Sequence, residues 1–577
     1  MNIKLTIYTF LKFIQFIAWE LLITTILFLT LTIYFYNGEN TIKSDGEGYY
    51  DYLPSIFIHH DFIRLNTDQN SHPKKYNRIA SKKDIYIDYH DKKVNKYPCG
   101  TSILLAPFYG IAARISHNTE HNSDGYTSIF HIWVFYAALF YLFITLLFLK
   151  KLLLLYDIDK LTIFLSQIFI IFSTSILEYS NQEASFSHIY SLFAITAFFF
   201  FCKKYFLSYR SNYFYWACLF LGLIILLRQV NIIIIFFIPF LAGSPKNLKT
   251  GIEEVFKRTS MLLKGLLLVL GLISIQCIAW HLQTGHLFLY SYQNEGFNFS
   301  NPELLNILFS YKKGLFVYAP ILGISLLGLV KLCLNKQYYL AGTWLLFFSV
   351  CTYVLSSWWS WYYGCSYGLR AYIDFYIVFF ILFALLLNHL RLWLKIPLLA
   401  ICFLTIPINL IQTYQYQCYI LHWIDMDQEK YWKVFLETDD KFRGIVWKKK
   451  YDYANHETLE VIDLYNEHLI PNQEKTLLQI SSNRIKNQNL CTIIQLSFYN
   501  SFEKKNNTSF TLEIKNEYSH TTHLIQYAEE EFGTYHKGLY DFNINGLNPN
   551  QIISLVVSNK EDTVSLKDIK LVFLKQK

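Results

Sequence analysis

The stretch SDGEGYYDYLP (residues 44 to 54) directly follows a long apolar segment and combines carboxylates, tyrosines and glycines. At the end of a membrane span a carboxylate is partly desolvated, which suits a general base that removes a proton from a hydroxyl group. The candidates for this base are Asp45, Glu47 and Asp51. Asp51, Tyr49 and Tyr50 are also candidates for contacts with a substrate. The alternative interpretation is a solvated turn with interfacial tyrosines.

Basic residues precede two later apolar segments on the side of the membrane that this stretch is predicted to face. Lys312 and Lys313 lie in LFSYKKGLFVYAP, and Arg370 lies in SSWWSWYYGCSYGLRAYIDF. Positive loops normally stay on the cytoplasmic side, so a lysine pair on the other side favours phosphate binding over simple anchoring to headgroups. An arginine at a helix N-terminus also binds anions. The alternative for Arg370 is an ion pair with Asp374 one turn later.

Other residues of the same loops are candidates for contacts with a sugar or an acceptor. Glu183 and His188 lie in NQEASFSHIYS, and Trp361 belongs to an aromatic cluster that can stack on a sugar ring. The alternatives are a structural hydrogen bond for His188 and an interfacial aromatic belt for Trp361. Arg228 interrupts an apolar run, where a charged side chain must find a partner.

The cysteine and charge patterns exclude several classes of site. The ten cysteines contain no CxxC pair, so no zinc site or disulfide framework is predicted. No metal or other cofactor is assigned, and a bound divalent ion stays open. The formal net charge of +8 does not indicate nucleic acid binding, because the basic residues concentrate in short loops between apolar segments.

These residues need a scaffold, and the composition predicts an integral membrane protein. Of the 577 residues, 53% are hydrophobic, 18% are aromatic and only 16% are charged. About eleven apolar runs approach the length of roughly 20 residues that a helix needs to cross a bilayer. They fall near residues 10 to 36, 128 to 149, 161 to 177, 188 to 202, 213 to 228, 230 to 243, 260 to 281, 315 to 334, 338 to 357, 371 to 389 and 395 to 413.

The charges of the connecting loops predict the orientation of these spans. With the N-terminus in the cytoplasm, the basic short loops all fall on the cytoplasmic side. The extracytoplasmic side then receives the first outer loop (37 to 127), the later outer loops and everything after about residue 414. Asp45, Lys313 and Arg370 are therefore predicted to share one side. The expected location is a bacterial inner membrane.

Three regions are predicted along the chain. Residues 1 to 415 form the membrane domain, whose first outer loop carries juxtamembrane helices. Residues 416 to 450 form an amphipathic connector with interfacial tryptophans and tyrosines. Residues 451 to 577 contain short, partly alternating, β-branched segments separated by Asn, Gly and Pro, which predicts a small antiparallel β-sandwich on the extracytoplasmic side.

A base, several cations and aromatic rings around one outer chamber suit the transfer of a sugar from a lipid phosphate. The lipid chain would lie in the bilayer, with the phosphate against the basic residues and the anomeric carbon facing Asp45. A deprotonated acceptor hydroxyl would attack in line with inversion, while the cations stabilise the departing phosphate. The transition state would resemble an oxocarbenium ion.

The acidic DGEGYY after the first span, the long first outer loop with KYPCGTSILLAPFYGIAARI, the many spans and the outer C-terminal domain resemble one family. This is the GT-C superfamily of polyprenyl-phosphate-sugar-dependent glycosyltransferases, in the branch of protein O-mannosyltransferases and the lipid A aminoarabinose transferase. The resemblance covers roughly residues 1 to 415. It implies that Asp45, with Glu47 next, is the base, that Lys313 and Arg370 bind the donor phosphate, and that residues 98 to 115 form a juxtamembrane helix.

The expected function is therefore that of an inverting glycosyltransferase. Its partners would be a polyprenyl-phosphate sugar, a glycan, lipid or protein acceptor, and the membrane lipids. A transporter or flippase for a lipid-linked glycan is an alternative, which predicts paired intramembrane charges and inverted repeats of broken helices. A glycan polymerase or ligase is another, because it uses similar lipid donors.

Overall fold

The computed structural model divides the chain into two compact units, Met1–Val446 and Trp447–Lys577. In the first unit the structure describes residues 3–35, 41–60, 62, 85–90, 92–119 and 124–446. In the second unit it describes residues 456–469, 473–502, 506–515, 520–529, 536–543, 547–559 and 564–576.

The first unit is helical, as a chain of this composition requires. Seven helices in its described part are long and apolar enough to cross a membrane, or eight if the bent pair Gln229–Ala242 and Pro245–Lys257 is one span. The seven are Gln15–Phe35, Ser128–Leu154, His188–Ser208, Thr259–Thr284, Tyr338–Ser356, Arg370–Leu387 and Leu392–Gln417. Helices suit lipid because they satisfy every backbone polar group within the segment. The predicted polytopic helical membrane protein is confirmed.

Each of the predicted spans lies in a helical region, but several of these helices are short or interrupted. The shorter apolar helices are Lys160–Phe172, Ser211–Leu227 and Pro320–Leu334. The backbone of Arg228 is extended, with φ −155° and ψ 117°, and separates Ser211–Leu227 from the 3₁₀ helix Gln229–Phe237. The apolar run around Arg228 therefore forms two elements. Among the described residues, seven or eight segments qualify as complete spans instead of about eleven.

Short helices and one hairpin form the connections between the spans. The short helices are Asp45–Tyr50, Tyr52–Phe57, Ile176–Tyr179, Leu304–Phe309, Leu315–Tyr318 and Gln428–Lys433. Strand β1 (Tyr86–Tyr89) pairs antiparallel with β2 (Lys92–Asn95). Gly100–Thr119 is helical where residues 98 to 115 were expected to form a juxtamembrane helix.

The two ends of the helical bundle make separate groups of contacts. At one end the basic connections meet: Lys331 Nζ donates to the carbonyl oxygen of Asn388, and Asn388 Nδ2 donates to that of Asp157 at 3.2 Å. At the other end begin His188–Ser208 and Arg370–Leu387, the two spans most buried inside the unit, at 83% and 89%. His188 and Asp374 join the first turns of these two central helices there, with Nδ1 and Oδ1 2.7 Å apart. We call this end of the bundle the cavity end.

The second unit is an antiparallel β-sandwich, as predicted for the C-terminal region. Its strands are β3 (His456–Asp463), β4 (Glu467–Leu469), β5 (Gln473–Ser481), β6 (Cys491–Phe502), β7 (Asn506–Lys515), β8 (His520–Glu529), β9 (His536–Asn543), β10 (Ile552–Asn559) and β11 (Val564–Gln576). One sheet has the order β5-β10-β7-β8, and the other has the order β3-β11-β6-β9 with β4 paired to β11. Alternate residues such as Leu496 and Phe498 of β6 and Leu555 and Val557 of β10 form one shared core.

Candidate functional site

A cavity of about 620 Å³ lies at the end of the bundle where His188–Ser208 and Arg370–Leu387 begin. Its lining comes from the short helix after the first span, the loop after β2, the start of His188–Ser208, residues 228 to 233, the loop 290 to 299 and residues 354 to 370. Four of the site residues predicted from the sequence line this cavity: Asp45, Tyr49, His188 and Arg370. The leading candidate base and one predicted cation therefore share one chamber.

Asp45 begins the short helix Asp45–Tyr50, and contacts of the preceding residues hold it in place. The backbone N–H of Thr41 donates to Nδ1 of His131 at 3.0 Å, which anchors the chain shortly after the first span. Ser44 then adopts φ 48°, in the left-handed region, so the chain changes direction immediately before Asp45.

Asp45 and Arg370 form an ion pair, with Oδ2 and Nη2 2.7 Å apart. The Asp45 side chain is 32% exposed and that of Arg370 is 15% exposed. Burial alone would raise the pKa of Asp45, but the charge of Arg370 and a hydrogen bond from Tyr97 outweigh this effect and lower it. Asp45 is therefore ionised at neutral pH, and its charge is balanced by Arg370.

Gly46 and Gly48 allow this helix to pack closely against its neighbours. A β-carbon on Gly46 would lie 1.9 Å from Oγ of Ser185, and one on Gly48 would lie 2.1 Å from Cδ2 of Tyr97. Tyr97 also packs on Tyr49, with ring centroids 4.8 Å apart. Gly48 thus leaves room for the Tyr97 ring, whose hydroxyl group hydrogen-bonds to Asp45. Any larger residue at position 48 would displace this ring.

A second ion pair supports the wall of the cavity. Asp374 is fully buried and accepts hydrogen bonds from His188 Nδ1 at 2.7 Å, Arg228 Nη1 at 3.1 Å and Asn231 Nδ2 at 2.7 Å. His188 and Arg228 line the cavity, whereas Asp374 does not. Asp374 is therefore the partner that Arg228 was expected to have, and the alternative pairing of Asp374 with Arg370 does not occur. Because Nδ1 of His188 donates to Asp374, its Nε2 is an acceptor when the ring is neutral.

The lining also contains polar residues that were not predicted as site residues, among them Lys96, Tyr97, Tyr292 and Glu295. Lys96 Nζ pairs with Glu295 Oε1 at 2.5 Å and lies 5.1 Å from the ring centroid of Tyr292. Lys96 and Tyr97 belong to KYPCG, within the stretch that carries the family resemblance. That resemblance is the sequence signal that could have identified them as site residues. The partners are 199 positions apart, so no local pattern marks the pair.

Aromatic and apolar side chains complete the cavity wall. Trp358, Trp359, Tyr362 and Tyr363 line it, but the predicted Trp361 does not. Trp361 instead packs against the apolar core of the helical unit, because it lies in an irregular segment where adjacent side chains take different directions. Several apolar side chains of the lining are also strongly exposed, among them Ile232 (46%), Phe299 (49%) and Trp359 (60%). The cavity wall therefore includes exposed apolar surface.

Asp51 and Tyr50 lie outside the cavity lining and hold the first outer loop together. The hydroxyl groups of Tyr86 and Tyr126 donate to the carboxylate of Asp51. The hydroxyl of Tyr50 donates to the carbonyl oxygen of Gly125 at 2.6 Å. Both side chains therefore make contacts that a structural role explains.

The two remaining predicted carboxylates also lie outside the lining. Glu47 follows Asp45 by two positions in a helix, and residues at this spacing do not share a face. Glu183 is buried and accepts a hydrogen bond from the Tyr416 hydroxyl at 3.2 Å. It lies near Glu178, whose pKa burial raises to about 7. In the part of the chain that the structure describes, no group of three or more His, Cys, Asp and Glu side chains is arranged to hold a metal ion.

The two predicted lysines take different positions, and neither is among the lining residues. Lys312 Nζ lies 3.9 Å from the ring centroid of Tyr362, which does line the cavity. Lys313 is only 2% exposed, and its ammonium donates to the carbonyl oxygen of Ser366. Burial lowers the pKa of Lys313 to about 7. Their role in binding a donor phosphate stays a prediction.

Comparisons with known proteins give distant likenesses. No protein-family profile matches the sequence, and no curated protein matches it. The oligosaccharyltransferase AglB from Archaeoglobus fulgidus, solved with an inhibitory peptide and a dolichol-phosphate, has a TM-score of 0.38 and 11% identity, over 69% of this chain and 55% of that chain. The apo oligosaccharyltransferase of Archaeoglobus fulgidus has a TM-score of 0.40 and 14% identity, over 73% and 60%.

The arabinosyltransferase EmbB from Mycobacterium smegmatis has a TM-score of 0.30 and 8% identity, over 82% of this chain and 60% of that chain. This chain therefore spans less than two thirds of the length of these three proteins. At TM-scores this low, neither the fold nor the function of the chain is inferred from them.

Proposed function

We propose that this protein is an inverting glycosyltransferase that moves a sugar from a polyprenyl-phosphate donor to a glycan, lipid or protein acceptor. The observation that carries the proposal is the Asp45–Arg370 ion pair, 2.7 Å long, beside a cavity whose wall includes exposed apolar side chains. Transfer from a lipid phosphate needs a proton acceptor, a phosphate-binding cation and access for the lipid chain. All three requirements have a candidate at this one place.

The donor phosphate binds the guanidinium of Arg370, whose planar fork suits two phosphate oxygens. The polyprenyl chain lies along the exposed apolar side chains of the cavity wall, including Ile232 and Phe299. Lys312 and Lys313 add positive potential around the phosphate. Tyr49 and His188 contact the sugar or the acceptor, since both line the cavity.

In the reaction, Asp45 accepts the proton of an acceptor hydroxyl group, and the hydroxyl oxygen forms a bond to the anomeric carbon. The bond between that carbon and the phosphate oxygen breaks on the opposite side, and its electron pair stays on the phosphate. Arg370 stabilises the charge that develops there. Attack opposite to the leaving group inverts the anomeric configuration.

The ion pair also links donor binding to the strength of the base. While Asp45 is paired with Arg370 its pKa is low, and a carboxylate with a low pKa is a weak base. When the donor phosphate takes over Arg370, Asp45 loses most of its counter-charge and its pKa rises. The base therefore becomes effective only when a donor is present.

The proposal places the cavity end on the extracytoplasmic side. The basic connections, represented by Lys331 near Asn388, lie at the other end of the bundle, and positive loops favour the cytoplasm. The membrane is proposed to be a bacterial inner membrane, with the C-terminal β-sandwich outside the cytoplasm.

Asp45→Asn tests the proposal because it removes the proton acceptor and preserves the size of the side chain. We expect transfer of sugar from polyprenyl-phosphate donors in membranes to fall by at least about 100-fold. Glu47→Gln is the matched control, since it removes a carboxylate from the same short helix but outside the cavity, and it should keep most of the activity. Full activity of Asp45→Asn, at equal protein in the membrane, would remove Asp45 from the mechanism.

The flippase remains a second candidate because one observation favours it. Arg228 and Asp374 form a buried ion pair, which is the kind of paired charge that a transporter predicts. A flippase moves the lipid-linked sugar intact, whereas a transferase releases the polyprenyl phosphate. Mass spectrometry of the lipid after turnover in proteoliposomes separates the two, and a polymerase or ligase would be recognised by a lengthened glycan product.

A further inference from the structure

The helix Pro245–Lys257 takes no part in the cavity and differs from the spans on either side of it. It follows Gln229–Ala242 with a bend of 118°, and the span Thr259–Thr284 begins after Arg258 alone. A helix that connects two membrane-embedded segments at this angle lies close to the plane of the membrane. One face of this helix contacts the protein, a second is apolar and exposed, and a third is basic.

The first face packs against the protein. The Tyr205 hydroxyl donates to the carbonyl oxygen of Gly251 at 2.6 Å, and a β-carbon on Gly251 would lie 2.5 Å from Cε1 of Phe206. Tyr205 and Phe206 are near the end of His188–Ser208, whose first residue lines the cavity. The helix therefore lies flat against the bundle at the end opposite the cavity.

The second face is apolar and exposed. Ile252 is 48% exposed and Phe256 is 67% exposed, and their spacing of four residues puts them on one side of the helix. At about 100° per residue, this side adjoins the face that carries Gly251. The exposed side chains of the following span, including Leu263 (54%) and Leu267 (68%), continue the apolar surface. On the spans, bilayer acyl chains cover such a surface. Ile252 and Phe256 extend the same apolar surface onto the helix Pro245–Lys257.

The third face is basic. Lys249 and Lys257 are 80% and 68% exposed, and Lys246 is also exposed. Lys249 and Lys257 form ion pairs with Glu253 and Glu254 of the same helix, at 3.9 and 3.8 Å. Such exposed pairs are weak, so a headgroup phosphate can replace the carboxylate. Lysines that border an apolar face in this way lie at the height of lipid headgroups, and their charge is available to a phosphate.

We propose that Pro245–Lys257 is an interfacial helix that binds anionic phospholipids in the leaflet opposite the cavity. Lys246, Lys249 and Lys257 contact the headgroups, and Ile252 and Phe256 insert among the acyl chains. Charge complementarity selects anionic over zwitterionic lipid, because each basic residue near an anionic surface contributes roughly a fivefold factor in affinity. This site is independent of the proposed transferase chemistry, since none of its residues line the cavity.

The test titrates the purified full chain in detergent with short-chain phosphatidylglycerol or phosphatidylcholine and measures bound lipid by native mass spectrometry. The wild type should bind phosphatidylglycerol at least about tenfold more tightly, and the combined Lys246→Gln, Lys249→Gln and Lys257→Gln variant should lose this preference. A control that neutralises three exposed lysines elsewhere, Lys92→Gln, Lys441→Gln and Lys515→Gln, should keep it. An equal affinity of the wild type for both lipids, or a preference that survives in the helix variant, would overturn the proposal.

A second variant, Ile252→Ser with Phe256→Ser, keeps the lysines and removes the apolar pair. It should weaken binding of both lipids by a similar factor and leave the preference for the anionic one. The same samples report the oligomeric state. If the wild type is a dimer that this variant converts to a monomer, the face is covered by a second copy of the chain, and the lipid proposal is wrong.

Discussion

At the scale of single residues, Arg370 sets the charge state of Asp45. The ion pair is 2.7 Å long, and it outweighs the burial that would otherwise raise the pKa of the carboxyl group. The same guanidinium is the proposed ligand of the donor phosphate. One residue thus has two partners that compete for it, and the competition is what makes the base respond to the donor.

Arg370→Gln should move the acid limb of the pH profile of kcat/KM to higher pH. In the wild type the pKa of Asp45 is lowered, so the carboxylate stays ionised well below neutral pH. Without the positive charge, burial dominates and the pKa of Asp45 rises, which should shift the acid limb to higher pH. The measurement is the initial rate of sugar transfer in membranes between acid and neutral pH.

Lys312→Gln is the control for this prediction, because Lys312 lies against the ring of Tyr362 and is not a partner of Asp45. It should leave the acid limb in place even if it weakens donor binding. An acid limb that is the same in Arg370→Gln as in the wild type would mean that a group other than Asp45 accepts the proton.

The residues of the site were only partly predictable from the sequence. The order of spans and loops predicts on which side of the membrane a residue lies. This was enough to predict that Asp45 and Arg370 lie in the same region. That order does not predict where a side chain points. Glu47 lies outside the cavity lining, two positions after Asp45 in the same helix. Asp51 is held by Tyr86 and Tyr126, which lie far from it in sequence.

At the scale of elements, the short helix Asp45–Tyr50 depends on glycine for its fit. Gly48→Ala would bring a β-carbon within 2.1 Å of the ring of Tyr97, which must then move away from Asp45. We expect a loss of stability of about 1 to 3 kcal/mol from overpacking, together with reduced transfer. Thermal unfolding in detergent and the transfer assay check both effects.

The matched substitution is Gly110→Ala in the helix Gly100–Thr119, where an added β-carbon has no neighbour within 4 Å. Because alanine favours a helix over glycine, this change should be neutral or stabilise by about 0.5 to 1 kcal/mol. If Gly48→Ala unfolds at the same temperature as Gly110→Ala and is equally active, the close packing of the short helix is not required.

The start of the span Arg370–Leu387 is joined to Arg228 by Asp374. Asp374→Asn should lower stability by roughly 1 to 3 kcal/mol, because it leaves the partly buried guanidinium of Arg228 without a counter-charge. Adding Arg228→Gln should recover part of the loss, since no unpaired charge remains. The check is a double-mutant cycle on the unfolding temperatures, and additive effects of the two substitutions would show that the pair is not coupled.

At the scale of the whole molecule, the two architectures were predictable because their signals are local. Apolar runs marked the spans, and alternating β-branched segments marked the sandwich. The number of complete spans was not predictable, since the helix breaks at Arg228 and before Pro320 depend on backbone geometry and on contacts such as the one between Arg228 and Asp374. The Lys96–Glu295 ion pair was not predictable from the sequence either, because it joins two loops that are remote in sequence.

The central claim is that an acid and an arginine from different helix ends form one chamber for a lipid-linked donor. The most direct measurement is a cryo-EM map of the full chain with a bound polyprenyl phosphate. We predict that the phosphate lies within hydrogen-bond distance of Arg370, that the Asp45–Arg370 contact lengthens, and that the lipid chain runs along Ile232 and Phe299. A bound polyprenyl phosphate that leaves the cavity empty, or that occupies the cavity with its phosphate away from Arg370, would contradict the claim.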